Sequence, residues 1–320
     1  MSEYKKIHGI HVQALASDPS NLGAGQVWYN TTTNKLKITA VSTSGAWGSG
    51  GNMGTGRRSV GSAGTQTAGL AFGGSDLGGG LNATEHYNGS AWTGGGNMGT
   101  TRYSLAGAGT QTAGLAFGGY DASSSPTNAT EHYNGSAWTA GGNMGTSRYA
   151  LGGAGTDTAG LAFSGRTSSS TTNATEHYDG SAWTAGGNLG TARYFMGSAG
   201  TQTAGLAFGG GSSNATEHFD GSAWTAGGNM GTGRYQLGSA GTQTAGLGFG
   251  GFDGSLINAT EHYDGSAWTS GGNLGTARYH LAGAGTQTAG LGFGGSAPST
   301  TNATEEYAGP GITTQTVTAS

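Results

Sequence analysis

The sequence RYSLAGAGTQTAGLAFGG at Arg102–Gly119, followed after a short loop by TNATEHYNGSAW at Thr127–Trp138, decides the fold of this chain. The same order of residues returns four more times, and in a weaker form a fifth time. The leading arginines of these other copies are Arg57, Arg148, Arg193, Arg234 and Arg278. Neighbouring leading arginines are 41–46 residues apart. The chain is therefore an array of similar units.

Each copy is long enough for four short strands. Asn134-Gly135 is a strong signal for a two-residue hairpin turn, and alternating Gly and Ala before it leave one strand face without bulk. The four strands predicted in the copy after Arg102 are Tyr103–Thr110, Ala113–Gly118, Asn128–Tyr133 and Ser136–Ala140. A period of about 40–50 residues with four strands indicates the blades of an all-β propeller.

The composition alone would suggest disorder, because the chain has 70 Gly and only 9% charged residues. However, a Trp, a Tyr or Phe, a Leu and a Phe recur at the same offsets in almost every copy, and disorder needs no such phasing. Helices are not expected, because Gly inside a helix costs up to about 1 kcal/mol relative to Ala.

Charge and residue usage exclude several classes of protein. The net charge is −4, all four lysines lie in the first 37 residues, and no clustered basic patch follows them, so we expect no nucleic-acid partner. The sequence contains no run of 18 apolar residues, so we predict no membrane-spanning helix. The N-terminus lacks the apolar core of a signal peptide. Without cysteine there are no disulfides or thiolate ligands. We expect no cofactor, no metal and no membrane insertion.

The first 43 residues differ from the rest, since they carry the lysines and lack the repeat. Ile7–Ala16 is predicted as one alternating strand, and Gly25–Ala40 as a hairpin that turns at Thr33-Asn34. We therefore predict an N-terminal attachment or oligomerisation segment (1–43), a repeat domain (44–309) and a C-terminal tail (310–320). The sequence leaves open whether Ile312–Val317 adds a strand or leaves the repeats.

The repeated pattern of Arg, double Gly, Glu-x-Tyr and then Trp resembles the kelch repeat of β-propellers, over about Trp47 to Tyr307. Two copies depart from it, with Ser164-Gly165 in place of the double Gly and Arg57-Arg58 in place of Arg-Tyr. The last copy has no Trp after Tyr307, whereas an unassigned Trp47 precedes the first copy. We therefore predict a six-bladed kelch-like propeller in which Trp47 lies beside Tyr307 and closes the ring.

Residues that are identical in every blade are expected to be structural. A catalytic or metal site breaks such symmetry, because acid and base need different environments. We expect Arg–Glu or Arg–backbone pairing between blades, and packing of Trp between them. The structural residues are the leading arginines Arg102, Arg148, Arg193, Arg234 and Arg278; the glutamates Glu131, Glu176, Glu217, Glu261 and Glu305; and Trp47, Trp92, Trp138, Trp183, Trp224 and Trp268. The strand histidines His86, His132, His177, His218 and His262 lie one per blade, so we expect structural or surface roles for them as well.

Residues that differ between blades are the better candidates for binding. The loops between the second and third strands vary in sequence and length. The identity of one residue near the start of each first strand also varies, and this residue is Ser59 in the first copy. Function on propellers is usually carried by such loops on a rigid scaffold. The predicted ligand-binding residues are Ser104, Tyr120, Asp121, Ala150, Arg166, Phe195, Gln236, Phe252, Asp253 and His280.

The segment GQVWYNTTTNKLK at Gly25–Lys37 resembles one that is common in phage tail-fibre and appendage proteins. The near-identical, lysine-free blades are also similar to phage structural proteins. The resemblance implies a virion appendage, exposed on the particle surface. It would join virion proteins through residues 1–43, form a homo-oligomer, and bind a host-surface glycan or protein through the propeller. The alternatives are a capsid or tail decoration protein without a receptor, and a propeller hydrolase or lyase. We do not expect an enzyme, because no catalytic residue stands out.

Overall fold

The computed structural model of the chain describes residues 4–7, 10–20, 23, 25–42 and 44–317. It is all-β and is built of repeated four-stranded antiparallel sheets, consistent with a propeller-like repeat fold. The described residues divide into two compact units, one within 1–45 and 309–320 and the other at 46–308. Among the described residues, no helix is long and apolar enough to cross a membrane. The remaining positions of the predicted segments 1–43 and 310–320 lie outside the described residues.

The first unit is a five-stranded sheet. Its strands, in their order across the sheet, are β1 (Tyr4–Ile7), β2 (Ile10–Leu15), β3 (Val27–Asn30), β4 (Lys35–Ser42) and β29 (Gly311–Thr316). The predicted hairpin is present as β3 and β4, with Tyr29 opposite Leu36. The prediction of a single strand over Ile7–Ala16 is wrong. Because Ile7 pairs with Ile10 in an antiparallel ladder, the chain reverses between them.

The C-terminal segment belongs to this same sheet. β29 pairs antiparallel with β4, from Gly311 opposite Ser42 to Thr316 opposite Lys37. The segment that the sequence left open therefore forms a strand, and it lies in the sheet of the first unit and not in one of the repeated sheets. Ladder hydrogen bonds to β4 satisfy backbone groups that a free tail would leave to water.

Trp28 is the main buried side chain of the first unit, at 1% exposed. Its indole Nε1–H donates to Asp18 Oδ1 at 2.9 Å, and the Asn30 side-chain amide donates to the same oxygen at 2.7 Å. The bonds from Asn30 and Trp28 lower the pKa of Asp18 below its usual value. These bonds satisfy the polar atoms that accompany the buried indole ring.

The second unit holds six sheets of four strands each. The first strands are β6 (Gly61–Thr65), β10 (Ala106–Gly109), β14 (Gly152–Gly155), β18 (Gly197–Gly200), β22 (Gly238–Gly241) and β26 (Ala282–Gly285). The second strands are β7 (Ala68–Phe72), β11 (Gly114–Phe117), β15 (Gly160–Phe163), β19 (Gly205–Phe208), β23 (Gly246–Phe249) and β27 (Ala289–Phe293). The third strands are β8 (Thr84–Tyr87), β12 (Thr130–Tyr133), β16 (Thr175–Tyr178), β20 (Thr216–Phe219), β24 (Thr260–Tyr263) and β28 (Thr304–Ala308). The fourth strands are β9 (Trp92–Gly94), β13 (Trp138–Ala140), β17 (Trp183–Gly186), β21 (Trp224–Ala226), β25 (Trp268–Ser270) and β5 (Ala46–Ser49).

We number the sheets 1 to 6 in the order of their first strands, so that sheet 6 contains β26, β27, β28 and β5. β5 comes first in the chain of this unit, yet it pairs with β28 from the far end. Tyr307 lies opposite Trp47 in that ladder, as predicted. Sheet 6 is therefore completed by a strand that precedes all the others in sequence.

The four strands are observed at the predicted places, but they are shorter than predicted. The first strand of sheet 2 begins at Ala106, not at Tyr103, because Ser104 has a φ of 52° and interrupts the extended backbone. Strand residues require a negative φ. The residues just before Ala106 therefore lie outside the first strand of sheet 2.

Six apolar cores lie between neighbouring sheets. The core between sheets 1 and 2 contains Leu70 and Phe72 from one side and Tyr133 from the other, with Trp138 packed against it. An equivalent core joins sheet 6 to sheet 1, with Phe293 and Tyr87 in it. Neighbouring first strands approach closely, since a Cβ on Gly107 would lie 2.3 Å from the Ser62 carbonyl oxygen. Glycine at that position therefore permits the contact.

Candidate functional site: the variable face

The variable loops and the crossings between sheets lie at one end of the strands. Since the four strands of each sheet alternate in direction, the start of the first, the end of the second, the start of the third and the end of the fourth meet at that end. We call this end the variable face. The tight turns such as Thr110–Ala113 and Asn134–Ala137 lie at the opposite end.

The crossings are held by the leading arginines and the glutamates. The Arg102 guanidinium is fully buried, donates to the carbonyl oxygens of Gly118 and Ala129, and pairs with Glu131 at 2.7 Å. The Arg102 carbonyl oxygen accepts from Gly74 N–H of the preceding sheet at 2.8 Å. All six repeats contain the same Arg–Glu pair: Arg57–Glu85, Arg102–Glu131, Arg148–Glu176, Arg193–Glu217, Arg234–Glu261 and Arg278–Glu305. The arrangement links neighbouring sheets.

Burial lowers the pKa of these arginines below its usual value, and the negative charge of the partner glutamate opposes that change. The second oxygen of each glutamate accepts a backbone N–H from the crossing, as Glu131 Oε2 does from Gly99 at 2.6 Å. A buried carboxylate is tolerated when both oxygens are bonded in this way. Each of the six pairs is therefore bonded on both sides within the fold.

The tryptophans lie between sheets. Trp138 Nε1–H donates to Thr84 Oγ1 of the preceding sheet at 2.9 Å, and its ring lies 4.9 Å from that of Phe72. Equivalent hydrogen bonds of 2.9–3.0 Å, each from an indole N–H to a threonine hydroxyl, are made by Trp47, Trp92, Trp183, Trp224 and Trp268. These rings are occupied by packing against the neighbouring sheet.

The strand histidines also bridge sheets. His86 Nε2 lies 2.7 Å from the Tyr133 hydroxyl of the next sheet, and His132, His218 and His262 make equivalent bonds. His177 lies against Phe219, whose ring has no hydroxyl. Among the described residues, no three or more His, Asp or Glu side chains are placed to hold a metal ion together.

The variable residue of each crossing has a left-handed backbone, with φ between 52° and 56°. These six mouth residues are Ser59, Ser104, Ala150, Phe195, Gln236 and His280. The backbone N–H of each one donates to the carbonyl oxygen of the mouth residue in the preceding sheet at 2.8–2.9 Å, and Ser59 donates to His280. The six hydrogen bonds form one continuous ring.

This conformation costs about 1–2 kcal/mol for a residue with a Cβ. Glycine occupies most other positions of this chain with a positive φ, yet it occupies none of the six mouth positions. Strain that is retained in this way suggests that the side chains have a use. They line a central cavity of about 230 Å³, together with the Gly, Ala and Ser residues of the first strands and the apolar residue that follows each mouth residue.

The mouth is asymmetric. His280 Nδ1 lies 2.9 Å from Ser59 Oγ, and the Phe195 ring, two sheets away, meets the His280 ring edge-on at 5.3 Å. Burial, with a smaller effect of the Arg58 charge, lowers the pKa of His280 to about 4. His280 is therefore neutral at pH 7, and the structure brings it together with Phe195 as part of the predicted set. Ser104 and Ala150 are largely buried and offer little surface.

The first loop residue after the double Gly pairs with the residue after the leading arginine. Tyr120 forms such a bridge with Tyr103, and its ring stacks on Tyr149 of the next sheet at 3.9 Å. Arg166 lies over the Tyr194 ring at 5.1 Å. Arg58 and Arg166 both lie on this face, because Arg58 bridges to Ser75 and Arg166 bridges to Tyr149. Among the described residues, neither takes part in an ion pair.

Two predicted ligand-binding residues have local bonds instead. Asp121 Oδ1 accepts from the backbone N–H groups of Ser123 and Ser125 at 2.8–3.0 Å. Asp253 Oδ1 accepts from the N–H and the hydroxyl of Ser255. Both carboxylates therefore shape their own loops.

Sheets 5 and 6 leave an open groove on the variable face, with a volume of about 280 Å³. Its walls are Tyr235, Phe252, Leu256, Tyr279 and Pro298. The Phe252 ring is 5.7 Å from Tyr235 and 6.0 Å from Tyr279, so the rings are not stacked closely as Tyr120 and Tyr149 are. The sequence predicted Phe252 as a binding residue but not Tyr235 or Tyr279. A Tyr follows the leading arginine in five repeats, and a residue that recurs in this way is expected to be structural.

Comparison with models of known protein families and with curated protein sequences found no match to this chain.

Proposed function

We propose that residues 46–308 form a closed six-bladed propeller of the kelch-like kind. Three observations support closure: β5 completes sheet 6, an apolar core lies between sheets 6 and 1, and the hydrogen-bond ring of the mouth residues returns from His280 to Ser59. A closed ring leaves only short sheet edges and makes a rigid support for loops.

We propose further that this propeller is a binding module, not an enzyme, and that it binds through its variable face. The observation that carries the proposal is the contrast between the two ends. At the opposite end the side chains are nearly identical and bonded to one another, as where Asp179 Oδ1 accepts from Ser181 and Ala182. At the variable face the residues differ, and unpaired arginines and aromatic rings collect there.

The proposed setting is a phage virion, where the chain is a surface appendage that attaches the particle to a host-surface glycan or protein. The resemblance of Gly25–Lys37 to tail-fibre segments supports this setting. The N-terminal sheet would join other virion proteins or further copies of the chain. Exposed, rigid, lysine-free blades suit a particle surface that must resist proteolysis.

Competition for host cells tests the proposal. The purified full chain should reduce adsorption of phage particles that carry it, because it occupies the same receptors. A variant in which Phe252–Ile257 is replaced by the three-residue loop 211–213 of sheet 4 should lose this competition. The control exchanges Asn88 and Asn134 for Asp at the opposite end, where Asp179, Asp220 and Asp264 already occupy the same turn.

Equal competition by the loop variant and the parent would contradict a receptor role for that loop. If the full chain does not compete at all and is found in many copies at lattice positions of the particle, it is a decoration protein without a receptor, and the binding proposal fails.

A further inference from the structure

The groove between sheets 5 and 6 differs from the two sectors of the variable face that begin at Tyr120 and at Arg166. In the sector of sheets 2 and 3, the rings of Tyr120 and Tyr149 close on one another at 3.9 Å. Between sheets 3 and 4, Arg166 covers Tyr194. Between sheets 5 and 6, the faces of Phe252 and Tyr279 stay apart and leave a cavity of about 280 Å³.

Three polar groups near this groove have no hydrogen-bond partner in the described part of the chain. The hydroxyls of Tyr235 and Tyr279 and the side-chain amide of Gln236 make no hydrogen bond to any residue that the structure describes. Gln236 and His280 are chain neighbours of the two tyrosines and contribute to the mouth. A concave site with aromatic walls and a few free polar groups is the usual form of a small-ligand site.

We propose that the groove walled by Tyr235, Phe252, Leu256, Tyr279 and Pro298 is a carbohydrate-binding site that takes a neutral pyranose of a glycan. This inference deepens the proposed function and rests on it. The C–H face of a pyranose ring packs on an aromatic ring, and its hydroxyls pair with phenol hydroxyls and planar amides. The Phe252 and Tyr279 rings offer the first, and the hydroxyls of Tyr235 and Tyr279 offer the second.

The size of the groove favours a sugar over a protein segment. Its volume of about 280 Å³ is just below the range of about 300–1,000 Å³ that small-ligand pockets have, so it suits one sugar ring. A stable protein partner needs about 800 Å² on each side, far more than five side chains provide, of which all but Pro298 are half-buried. The groove walls carry no charged side chain among the five, so an uncharged ligand suits them.

Saturation-transfer difference NMR on the full chain tests the site. The probes are methyl α-mannoside, methyl β-galactoside, methyl β-glucoside and N-acetylglucosamine, together with an array of immobilised glycans built from them. We expect at least one probe to receive saturation at its ring C–H protons. Phe252→Ala and Tyr279→Ala should each weaken binding of that probe at least tenfold.

Tyr149→Ala is the matched control, because Tyr149 holds the same repeat position as Tyr279 but packs on Tyr120. It should leave sugar binding unchanged.

Two results would overturn the proposal. One is the absence of binding to every probe and every arrayed glycan. The other is binding that Phe252→Ala and Tyr279→Ala leave unchanged. If the chain still competes for host cells, and protease treatment of those cells abolishes the competition while periodate treatment does not, the variable face binds a protein. The binding function then stands, and only the sugar site is wrong.

Discussion

The mouth residues show most clearly how single residues differ in role in this repeat protein. They share one backbone conformation and one hydrogen-bond ring, while their side chains are of five different types. Ala150 is the best position at which to measure the cost of the left-handed backbone, because its side chain is only a methyl group.

Ala150→Gly is expected to be neutral or to raise the free energy of unfolding by up to about 1 kcal/mol, since glycine removes the left-handed strain at φ 52°. Ala154, four residues later within β14, is the control. Ala154→Gly should lower the free energy of unfolding by about 0.5–1 kcal/mol, because the site is extended strand. Urea denaturation of both variants measures the difference, and equal losses would contradict the role of strain.

The buried imidazole of His280 should make stability depend on pH. Its pKa is about 4 in the folded chain and near 6.5 in the unfolded chain. The unfolded state therefore binds the proton first as the pH falls, and stability that is fully present above pH 6.5 is lost as the pH falls toward 4. On the order of 2 kcal/mol is expected from this group between pH 7 and pH 4.

His280→Gln tests this dependence, because glutamine occupies an equivalent mouth position at residue 236. As the pH falls from 7 to 4, the parent should lose more unfolding free energy than the variant, because only the parent has the imidazole. The carboxylates titrate equally in both proteins. A difference that stays constant over this range would show that His280 does not cause it.

At the scale of the element, the crossings between sheets depend on buried charge. Arg148 is fully buried and pairs with Glu176 at 2.7 Å. Arg148→Met leaves that carboxylate without its cation, and we expect a loss of about 3–5 kcal/mol in unfolding free energy. The double variant Arg148→Met, Glu176→Leu should recover much of the loss, since no uncompensated charge remains. A double variant as unstable as the single one would contradict this account.

One repeat lacks a bridge that the other five possess. The side-chain amides of Gln66, Gln111, Gln202, Gln243 and Gln287 each donate to two carbonyl oxygens of the preceding sheet. Asp157 occupies this position in sheet 3 and cannot donate. Asp157→Gln should therefore bond to sheet 2 and raise the unfolding free energy by about 0.5–1.5 kcal/mol. The reverse exchange Gln111→Asp is the control and should destabilise, as thermal melts of both variants would record.

At the scale of the whole molecule, the ends of the repeat array meet at β5 and β28. If the ring is closed as proposed, Trp47 is equivalent to Trp138, because both pack on the preceding sheet and donate to its threonine. Trp47→Ala and Trp138→Ala should each cost about 3–5 kcal/mol. Chemical denaturation compares them. A much smaller cost at Trp47 would mean that the ring opens readily at this junction.

The sequence by itself determined the repeat, the four strands of each sheet, and the pairing of Trp47 with Tyr307, because each follows from local pattern and from counting copies. It also indicated that the leading arginines, the glutamates and the tryptophans serve the scaffold. Pattern could not show that residues 311–316 pair with β4, since a lone alternating strand carries no signal of its partner.

Only the tertiary structure decided which variable residues lie together. Phe195 and His280 are 85 positions apart in the numbering, yet their rings meet across the mouth. The groove beside Phe252 and Tyr279 exists because these rings are 6.0 Å apart, whereas the equivalent rings of Tyr120 and Tyr149 are 3.9 Å apart. This difference depends on side-chain geometry and not on the repeat. Repetition specifies the scaffold, whereas the site depends on contacts between repeats that the pattern leaves unspecified.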